Sequence, residues 1–475
     1  MKTVLVLLVL ILFGLESNSH LYRYHRRSSL STSGKYRISP KTGVQIALPT
    51  PEQLQWQAQE LGVLIHFNLE TFYADGLKLQ DIPSPLLFNP YLLNTDNWVQ
   101  TMSDFGAQYA VLVAKHGSGF LMAPTDVKFP LNPSGEIVPY NYTIEYSPMK
   151  GRDVLQEFVN SCMKRQIRTG FYYSVVSNSY LNVQSGSVSE PGQLNVTQQT
   201  YDSVVLEQLR ELWTKYGSLN EIWFDGGYTQ SLKDPISALL TELQPDAIAF
   251  NGYGVSHNPA RWIGTEMGVA PDPNWSTGVS NDGGDPDSSI FCPAECDTTL
   301  QDHDKWFWTN TTLRSLDEMI QVYHETVGRN CILMLDLAPD RTGLIPITHA
   351  SRYKELGDFI RSCYGTSIPS TERLIVDDSS LHVLLFNSTP VTVDRSVIQE
   401  DQTNGQVIRE YTIDVQLANA TDINKWITVA KGTSVGNKKI DVWSIGAQLV
   451  NGVRLNITKS VDKPVIKAFT VHLCN

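Results

Sequence analysis

The chain has 475 residues, of which 41% are hydrophobic and 18% charged, with a formal net charge of −12 at pH 7. This composition is typical of a globular protein with a large core and room for two domains. Because nucleic acids and anionic membrane surfaces bind clustered Lys and Arg, the acidic balance argues against both partners and favours an uncharged or weakly polar substrate.

The amino terminus predicts a cleaved secretory signal over residues 1–19. Lys2 precedes an apolar run over 3–14 that is too short to span a bilayer, and the small residue Ser19 suits a signal-peptidase site. No later stretch reaches the length of about 20 apolar residues that a transmembrane helix needs. We therefore expect a secreted, extracellular protein without a membrane anchor.

Seven Asn-X-Ser/Thr sequons agree with passage through the secretory pathway, where such sites can accept glycans. They lie at Asn141, Asn195, Asn274, Asn310, Asn387, Asn419 and Asn456. The sequence alone leaves open which of them carry a glycan.

The six cysteines are widely spaced and match no zinc-binding pattern. In an oxidising compartment they predict one or two disulfides, with the remaining thiols buried as small hydrophobic groups. Cys292 and Cys296 flank a short loop, so we expect these two to pair.

Strand and helix patterns alternate over residues 35–365 and predict a (β/α)8-like barrel. Amphipathic helices are predicted at 153–163 and 203–216. A barrel fits better than an open doubly wound sheet, because the first strand is not followed by a glycine-rich phosphate turn. The apolar strand candidates are 62–67, 109–114, 169–174, 221–225, 247–251, 261–264 and 331–337.

From residue 370 to 475 the pattern changes to short β-type runs separated by turns, without a helical period. This pattern predicts an antiparallel β-sandwich. Its aromatic residues, such as Trp426 and Trp443, form no evident row, which favours a bracing role over carbohydrate binding. Both roles remain open.

Asp225 ends the clearest of the predicted strands. The apolar run over 219–224 is followed by this acid and by Gly226 and Gly227. In barrel enzymes, a polar residue at the carboxyl end of a strand lies where the chemistry takes place, so Asp225 is a candidate nucleophile. The alternative is that Asp225 caps the following helix or starts the Gly-Gly turn.

Other predicted strand ends also finish in polar or aromatic residues. A closed barrel would bring them together beside Asp225, which favours an active site over a set of separate structural roles. They are His66, Lys115, His116, Tyr172, Tyr173, Ser174, Asn251 and Arg261, with Thr265 and Glu266 close behind.

Glu295 offers the second carboxyl group that general acid-base catalysis needs. It lies in a predicted loop that Cys292 and Cys296 could brace, and the run over 306–308 supplies aromatic faces. Aromatic walls with two carboxyl groups suit sugar rings and an oxocarbenium-like transition state. The alternative is a solvated loop acid. No metal or serine-nucleophile motif competes, so we expect no cofactor.

Five motifs together resemble glycoside hydrolase family 29, the alpha-L-fucosidases, and in detail the plant secreted branch. They are Gly-Val-Leu-Ile-His-Phe at 62–67, Tyr-Ala-Val-Leu-Val-Ala-Lys-His-Gly-Ser-Gly-Phe at 109–120, Trp-Phe-Asp-Gly at 223–226, Arg-Trp-Ile-Gly-Thr-Glu at 261–266 and the run over 335–346. The resemblance implies a (β/α) barrel followed by a β-sandwich, and retaining cleavage of terminal alpha-L-fucose without a cofactor in the apoplast or cell wall.

The resemblance also implies roles for single residues. One departure stands out: Gly117 occupies the place of the second histidine that family members carry after Lys115. The implied roles are nucleophile for Asp225, general acid/base for Glu295, hydroxyl binding for His66 and His116, a place near the nucleophile for Tyr173, the sugar wall for Arg261, and contact with the fucose methyl group for Trp223 and Trp306.

The function expected from these observations is exo-hydrolysis of terminal alpha-L-fucose, with alpha-1,3/1,4 linkages favoured, from oligosaccharides and glycoprotein glycans. Two alternatives remain: a catalytically weak protein that binds fucosylated glycans, and a retaining glycosidase for another sugar. The sequence leaves the oligomeric state open.

Overall fold

The computed structural model describes residues 34–73, 82–189, 194–302, 305–374, 380–386, 389–422 and 425–474. The predicted signal segment and the sequon at Asn387 lie outside these ranges. None of the helices within them combines the length and the apolar character that a bilayer crossing requires.

Eight parallel strands close into a barrel in chain order, which confirms the predicted fold class. They are β1 (Leu61–Ile65), β2 (Tyr109–Lys115), β3 (Arg168–Tyr173), β4 (Glu221–Trp223), β5 (Ile248–Phe250), β6 (Pro259–Trp262), β7 (Ala294–Thr298) and β8 (Cys331–Leu337). The sequence predicted seven of these and missed β7. The acids of β7 alternate with small residues, which disguised it as a loop.

Helices surround the barrel except after β5 and β6, where residues 251–258 and 263–293 form irregular segments. The first helix precedes β1, and its capping box is formed by Thr50 and Gln53. The helices are α1 (Pro51–Gln57), α2 (Thr95–Phe105), α3 (Val154–Lys164), α4 (Gln198–Lys215), α5 (Gln230–Leu243), α6 (Leu316–Glu325) and α7 (Ile347–Tyr364).

Side chains fill the barrel interior, and alternate residues of each strand point inward or outward. The inward set includes Leu64, Tyr109, Tyr172 and Trp223. The outward set packs against the helices in a separate cluster that includes Tyr173. Gly62 makes room for the interior, because a Cβ atom there would lie 2.5 Å from the ring of Tyr109.

Beyond α7, two antiparallel sheets pack against each other through a shared apolar core that includes Ile398, Ile413, Val453 and Val471. One sheet has the order β9-β10-β16-β13-β14, with β11 on β16, and the other has the order β15-β12-β17. The strands are β9 (Thr371–Leu374), β10 (Leu381–Leu385), β11 (Val391–Val393), β12 (Arg395–Glu400), β13 (Ile408–Leu417), β14 (Ile427–Gly432), β15 (Lys439–Val442), β16 (Gln448–Ser460) and β17 (Ile466–His472).

Two disulfides form, and neither is the expected Cys292–Cys296 pair, so that prediction was wrong. Cys296 points outward from β7 and bonds to Cys331 at the start of β8. Because these strands are neighbours in the barrel, Cys331 is within reach of Cys296. Cys292 stays a buried free thiol.

The second disulfide joins Cys363, in the last turn of α7, to Cys474 beyond β17. It ties the end of the chain to the barrel, and so links the sandwich to the barrel at both of its ends.

The described sequons differ in exposure. Asn141, Asn310 and Asn419 are exposed. Asn274 is fully buried, and its amide donates to the backbone carbonyls of Arg329 and Asn330. A glycan on Asn274 has no room in this fold, which corrects the expectation for that site.

The Cys363–Cys474 bond predicts a measurable loss of stability when it is removed. Its ends are 111 residues apart, and closing a loop of that size in the unfolded chain is worth about 3–5 kcal/mol. We expect Cys363→Ser and Cys474→Ser each to lower the free energy of unfolding by about that amount in denaturant titrations. Equal effects are expected because both remove the same bond; unchanged unfolding curves would contradict the assignment.

Candidate active site

Asp225 lies at the carboxyl end of β4, where its side chain is exposed to solvent. The hydroxyl of Tyr172, on the neighbouring strand β3, donates a hydrogen bond to Asp225 Oδ2 at 2.7 Å. This bond orients the carboxyl group of Asp225 at the barrel mouth. Its donor, the Tyr172 hydroxyl, is neutral.

One structural alternative for Asp225 is excluded, and the other holds. Helix α5 begins at Gln230 with Thr229 in the capping position, so Asp225 is not its cap. Gly226 and Gly227 both have φ in the left-handed region, at +65° and +78°, which forms the tight turn after the acid. The turn therefore serves to expose Asp225 at the mouth.

Tyr172, and not Tyr173, is the tyrosine beside Asp225, which corrects the prediction. Side chains alternate along β3, so Tyr173 points outward and its hydroxyl donates to Gln208 Oε1 of α4 at 2.6 Å. Burial, followed by the charges of Asp225, Glu70 and Glu266, raises the pKa of Tyr172 well above its usual value. Tyr172 therefore stays a hydrogen-bond donor at any physiological pH.

His66 and His116 follow β1 and β2 and lie together at the mouth, with ring centroids 6.0 Å apart. His116 stacks on Tyr172 at 5.6 Å, and His66 meets the same ring edge-on at 6.0 Å. Both histidines also contact Phe307, at 5.2 and 5.0 Å. The two rings therefore share one aromatic cage with the tyrosine that binds Asp225.

Trp306 closes this cage and brings a second exposed acid to it. Its ring lies 4.9 Å from that of His66, and its Nε1 donates to Glu266 Oε2 at 3.0 Å. Glu266 is exposed and lies in the irregular segment after β6. The mouth thus holds two solvent-facing carboxyl groups, those of Asp225 and Glu266, which accept hydrogen bonds from Tyr172 and Trp306 of the aromatic cage.

Glu295 is not in a loop at the mouth, and its expected position was wrong. It is the second residue of β7, points into the barrel and is 0% exposed. Trp223 Nε1 donates to its Oε1 at 2.7 Å and the Tyr109 hydroxyl to its Oε2 at 3.1 Å. Burial raises the pKa of Glu295. Glu295 is therefore a part of the barrel core.

Glu221, at the start of β4, is a second fully buried carboxyl group beside Glu295. Trp56 Nε1 donates to its Oε2 at 3.2 Å. Burial, followed by the charge of Glu295, raises the pKa of Glu221 well above its usual value. Because Glu295 accepts two donors, we infer that Glu221 is the group that keeps the proton of this pair.

Asp297, two residues further along β7, lies between this pair and the mouth. It is 3% exposed and accepts a hydrogen bond from Trp262 Nε1 at 2.7 Å. Burial raises its pKa to about 8. Asp297 is therefore a covered acid that positions the Trp262 ring below the mouth.

Trp223 and Arg261 do not line the mouth as predicted. Trp223 is 6% exposed and stacks between Tyr172 and Phe250, with ring centroids 5.1 and 4.1 Å away, so it forms the floor below the cage. Arg261 points outward from β6, and its Nη2 donates to Asn274 Oδ1 at 2.7 Å. It braces the irregular segment outside the barrel.

Lys115 is a buried cation just below the mouth. Its Nζ donates to the carbonyl of Ser177 at 2.8 Å and lies over the ring of Tyr173 at 4.7 Å. Burial lowers its pKa to about 7, against the charges of Glu70 and Asp225. Lys115 thereby ties the loop after β2 to the loop after β3.

The described residues contain no group of three His, Cys, Asp or Glu side chains arranged to hold a metal ion.

Comparisons with known proteins agree on one family. The family model described as Alpha-L-fucosidase matches residues 52–365. Alpha-L-fucosidase 1 of Arabidopsis thaliana is 26% identical over 94% of this chain and 91% of that protein. Putative alpha-L-fucosidase 1 of Oryza sativa subsp. japonica is 24% identical over 99% of this chain and 92% of that protein.

Solved structures give the same result. The structure of a putative alpha-L-fucosidase from Bacteroides thetaiotaomicron is 28% identical, has a TM-score of 0.78 and covers 90% of this chain and all of that one. A glycoside hydrolase 29 family member from a rumen bacterium, 22% identical with a TM-score of 0.77 and covering 90% of this chain and 78% of that one, shares the fold.

The buried pair predicts a pH-dependent stability that Glu221→Gln removes. The folded pair keeps a proton that the unfolded chain releases above pH about 4.5. The contribution of this pair to wild-type stability is therefore fully present below that pH, and it is lost as the pH rises towards the raised pKa of Glu221. For one proton this loss is about 1.4 kcal/mol of unfolding free energy per pH unit, and the neutral amide of Glu221→Gln avoids it. In denaturant titrations from pH 4 to 8, the free energy of unfolding of the variant should rise relative to that of wild type as the pH increases. Parallel stability curves would contradict the shared proton.

Proposed function

The chain belongs to the alpha-L-fucosidase family, a family of glycoside hydrolases, and we propose that it removes terminal alpha-L-fucose with retention of configuration. The observation that carries this proposal is the pair of exposed carboxyl groups, Asp225 and Glu266, at a mouth walled by aromatic rings. Retaining glycosidases use two carboxyl groups about 5 to 5.5 Å apart, one as nucleophile and one as acid and then base.

Asp225 is the proposed nucleophile. Its exposed carboxylate is oriented by the Tyr172 hydroxyl on Oδ2. Oδ1, which has no hydrogen-bond partner in the described part of the chain, is the oxygen that attacks the anomeric carbon of fucose. The attack forms an ester between Asp225 and the sugar and breaks the bond to the leaving oxygen, which takes up a proton. The short bond from Tyr172 also stabilises the carboxylate when the ester is hydrolysed and the charge returns.

Glu266 is the proposed acid/base, in place of Glu295. It is the second solvent-exposed acid at the mouth, and it accepts the indole N–H of Trp306 from the aromatic cage. As acid it donates a proton to the leaving oxygen, and as base it takes a proton from the water that cleaves the ester. Glu295 is 0% exposed and both of its oxygens accept bonds inside the barrel, from Trp223 and Tyr109, which argues against contact with a substrate oxygen.

The aromatic cage is the proposed fucose site. His66 and His116 supply nitrogen atoms for sugar hydroxyls, and the faces of Trp306 and Phe307 suit the C–H surface and the methyl group at C6. A sugar whose C6 is a hydroxymethyl group instead of a methyl group would bury a hydroxyl against these rings. This contrast supports fucose over other sugars.

We further propose that the substrates are oligosaccharides and glycoprotein glycans with alpha-1,3/1,4-linked fucose, and that the enzyme acts outside the cell. The exposed sequons at Asn141, Asn310 and Asn419 and the two disulfides fit an oxidising, glycosylating pathway. The predicted signal over 1–19 points the same way. In this proposal residues 35–365 form the catalytic domain, and residues 370–475 brace it.

Three variants separate the proposed carboxyl roles. We expect Asp225→Ala to lower kcat by roughly 10⁴-fold or more, and Glu266→Ala to lower kcat by roughly 10²- to 10⁴-fold on substrates whose leaving group needs a proton. Glu295→Gln is the matched control, because its amide oxygen can still accept from Trp223 while its NH2 group can donate to the Tyr109 hydroxyl. The kcat of Glu295→Gln should stay within about tenfold of the wild-type value.

Azide distinguishes the two roles further. With Glu266→Ala, azide attacks the ester on Asp225 and should give fucosyl azide of retained configuration. With Asp225→Ala, azide replaces the nucleophile and should give the inverted product. Full activity of Glu266→Ala together with inactive but folded Glu295→Gln would restore Glu295 as the acid/base.

The linkage proposal predicts release of fucose from an alpha-1,3/1,4-fucosylated oligosaccharide at a kcat/KM at least about tenfold above that for an alpha-1,2-linked one. Chromatography of released fucose measures both rates. Equal rates would refute the linkage preference alone. Binding of the fucosylated glycan without release from either substrate would favour a glycan-binding protein.

A further inference from the structure

Two carboxyl groups that take no part in the proposed chemical steps each hold one mouth histidine. His66 Nδ1 lies 2.8 Å from Asp336 Oδ1, and His116 Nδ1 lies 3.2 Å from Glu70 Oε1. In each ring the remaining nitrogen, Nε2, has no partner among the residues that the structure describes. The carboxyl groups therefore decide which Nε2 carries a proton for the sugar.

We propose that the two carboxyl groups give the histidines opposite roles: Glu70 makes His116 Nε2 a hydrogen-bond acceptor, and Asp336 makes His66 Nε2 a donor. Glu70 and Asp336 are then positioning residues that set the direction of the hydrogen bonds with two sugar hydroxyls. The binding consequence rests on the proposed fucose site, whereas the protonation of the two rings does not.

The surroundings of Glu70 favour an ionised carboxylate. Its Oε1 accepts a bond from the backbone N–H of Ser118 at 3.0 Å as well as from His116. A backbone N–H can only donate, and the cation of Lys115 is near enough to interact. Although burial opposes it, the bonds from His116 and Ser118 lower the pKa of Glu70. An ionised Glu70 needs the proton on His116 Nδ1, which in the neutral ring leaves a lone pair on Nε2.

The surroundings of Asp336 give less support to a negative charge. Asp336 is 1% exposed, the ring and the backbone N–H of His66 are its partners, and its Oδ2, like Glu70 Oε2, has no hydrogen-bond partner among the described residues. Unlike Glu70, which interacts with Lys115, Asp336 has no lysine or arginine of the described part of the chain among the charges that act on it. A bare carboxylate in that place would be costly, so the pair with His66 should be neutral overall. Burial raises the pKa of Asp336 and lowers that of His66, in agreement with this state.

A neutral Asp336–His66 pair holds two exchangeable protons. In the proposed state one lies between Oδ1 and Nδ1, Oδ2 carries none, and the other is on His66 Nε2. Nε2 is protonated both when Asp336 keeps its proton and donates it in a hydrogen bond to Nδ1, and when that proton is transferred to Nδ1. The cage therefore presents one N–H and one lone pair, on rings whose centroids are 6.0 Å apart. Two hydroxyls of one sugar can then bind in a fixed donor and acceptor order.

The direct test is the ¹⁵N chemical shifts of the histidine rings in the free full-length enzyme at pH 8. The chain has ten histidines, and the signals of interest are assigned by their loss in His66→Gln and His116→Gln. We expect an unprotonated Nε2 on His116 and a protonated Nε2 on His66. A protonated Nε2 on His116, or an unprotonated Nε2 on His66, overturns the proposal.

Two variants of Glu70 connect this state to binding. Glu70→Gln keeps an oxygen that accepts from Ser118 and His116, so the ring should keep its state and the inhibition constant of L-fucose should stay within about threefold. Glu70→Ala removes the acceptor; His116 Nε2 should gain a proton and the constant should rise roughly tenfold. Equal inhibition constants for the two variants would overturn the binding role of Glu70.

The outcomes remain separable from those of the proposed function. A wild-type chain that does not bind L-fucose refutes the proposed function, while the ring protonation is still read from the free enzyme. Equal thermal unfolding midpoints for the two Glu70 variants show that lost binding reflects the histidine and not misfolding.

Discussion

The alternation of side chains along the barrel strands is the constraint on which the site depends. On β3 it sends Tyr172 to Asp225 and Tyr173 to helix α4. On β7 it sends Glu295 inward and Cys296 outward to Cys331. Because a shift of one residue would reverse every one of these directions, the register of the closed barrel specifies both the chemistry at the mouth and the disulfide outside it.

The same constraint divides the acidic residues into two layers with different properties. Asp225 and Glu266 lie at the mouth, where water reaches them. Glu221 and Glu295 lie deeper, where burial favours the protonated form. Trp223 connects the layers, because its indole N–H binds Glu295 and its ring stacks on the Tyr172 that binds Asp225. The buried pair thus supports the floor on which the proposed nucleophile is oriented.

Much of the architecture could be predicted from the sequence, because long apolar runs and amphipathic periods are strong local signals. The barrel, the antiparallel sheets that follow it, and the mouth position of Asp225 and the two histidines are of this kind. Strand β7 was missed because polar residues that face a barrel interior look like loop residues. The position of Glu295 and the disulfide partner of Cys296 followed from that error.

Contacts between distant segments could not be predicted in this way. Glu266 and Trp306 are 40 residues apart and meet only because the segments after β6 and β7 fold over the same mouth. Nor does any local pattern show that Asp336 reaches His66, 270 residues earlier in the chain. The second pairing follows from barrel closure, which places β8 beside β1.

The central claim is that Asp225 forms the covalent link to the sugar. It is tested most directly by inactivating the enzyme with 2-deoxy-2-fluorofucosyl fluoride, whose ester is slow to hydrolyse, and mapping the labelled peptide by mass spectrometry. We expect one fluorofucosyl group per chain, attached to Asp225. A label on Glu266 or Glu295 instead, or turnover without any covalent species, would contradict it.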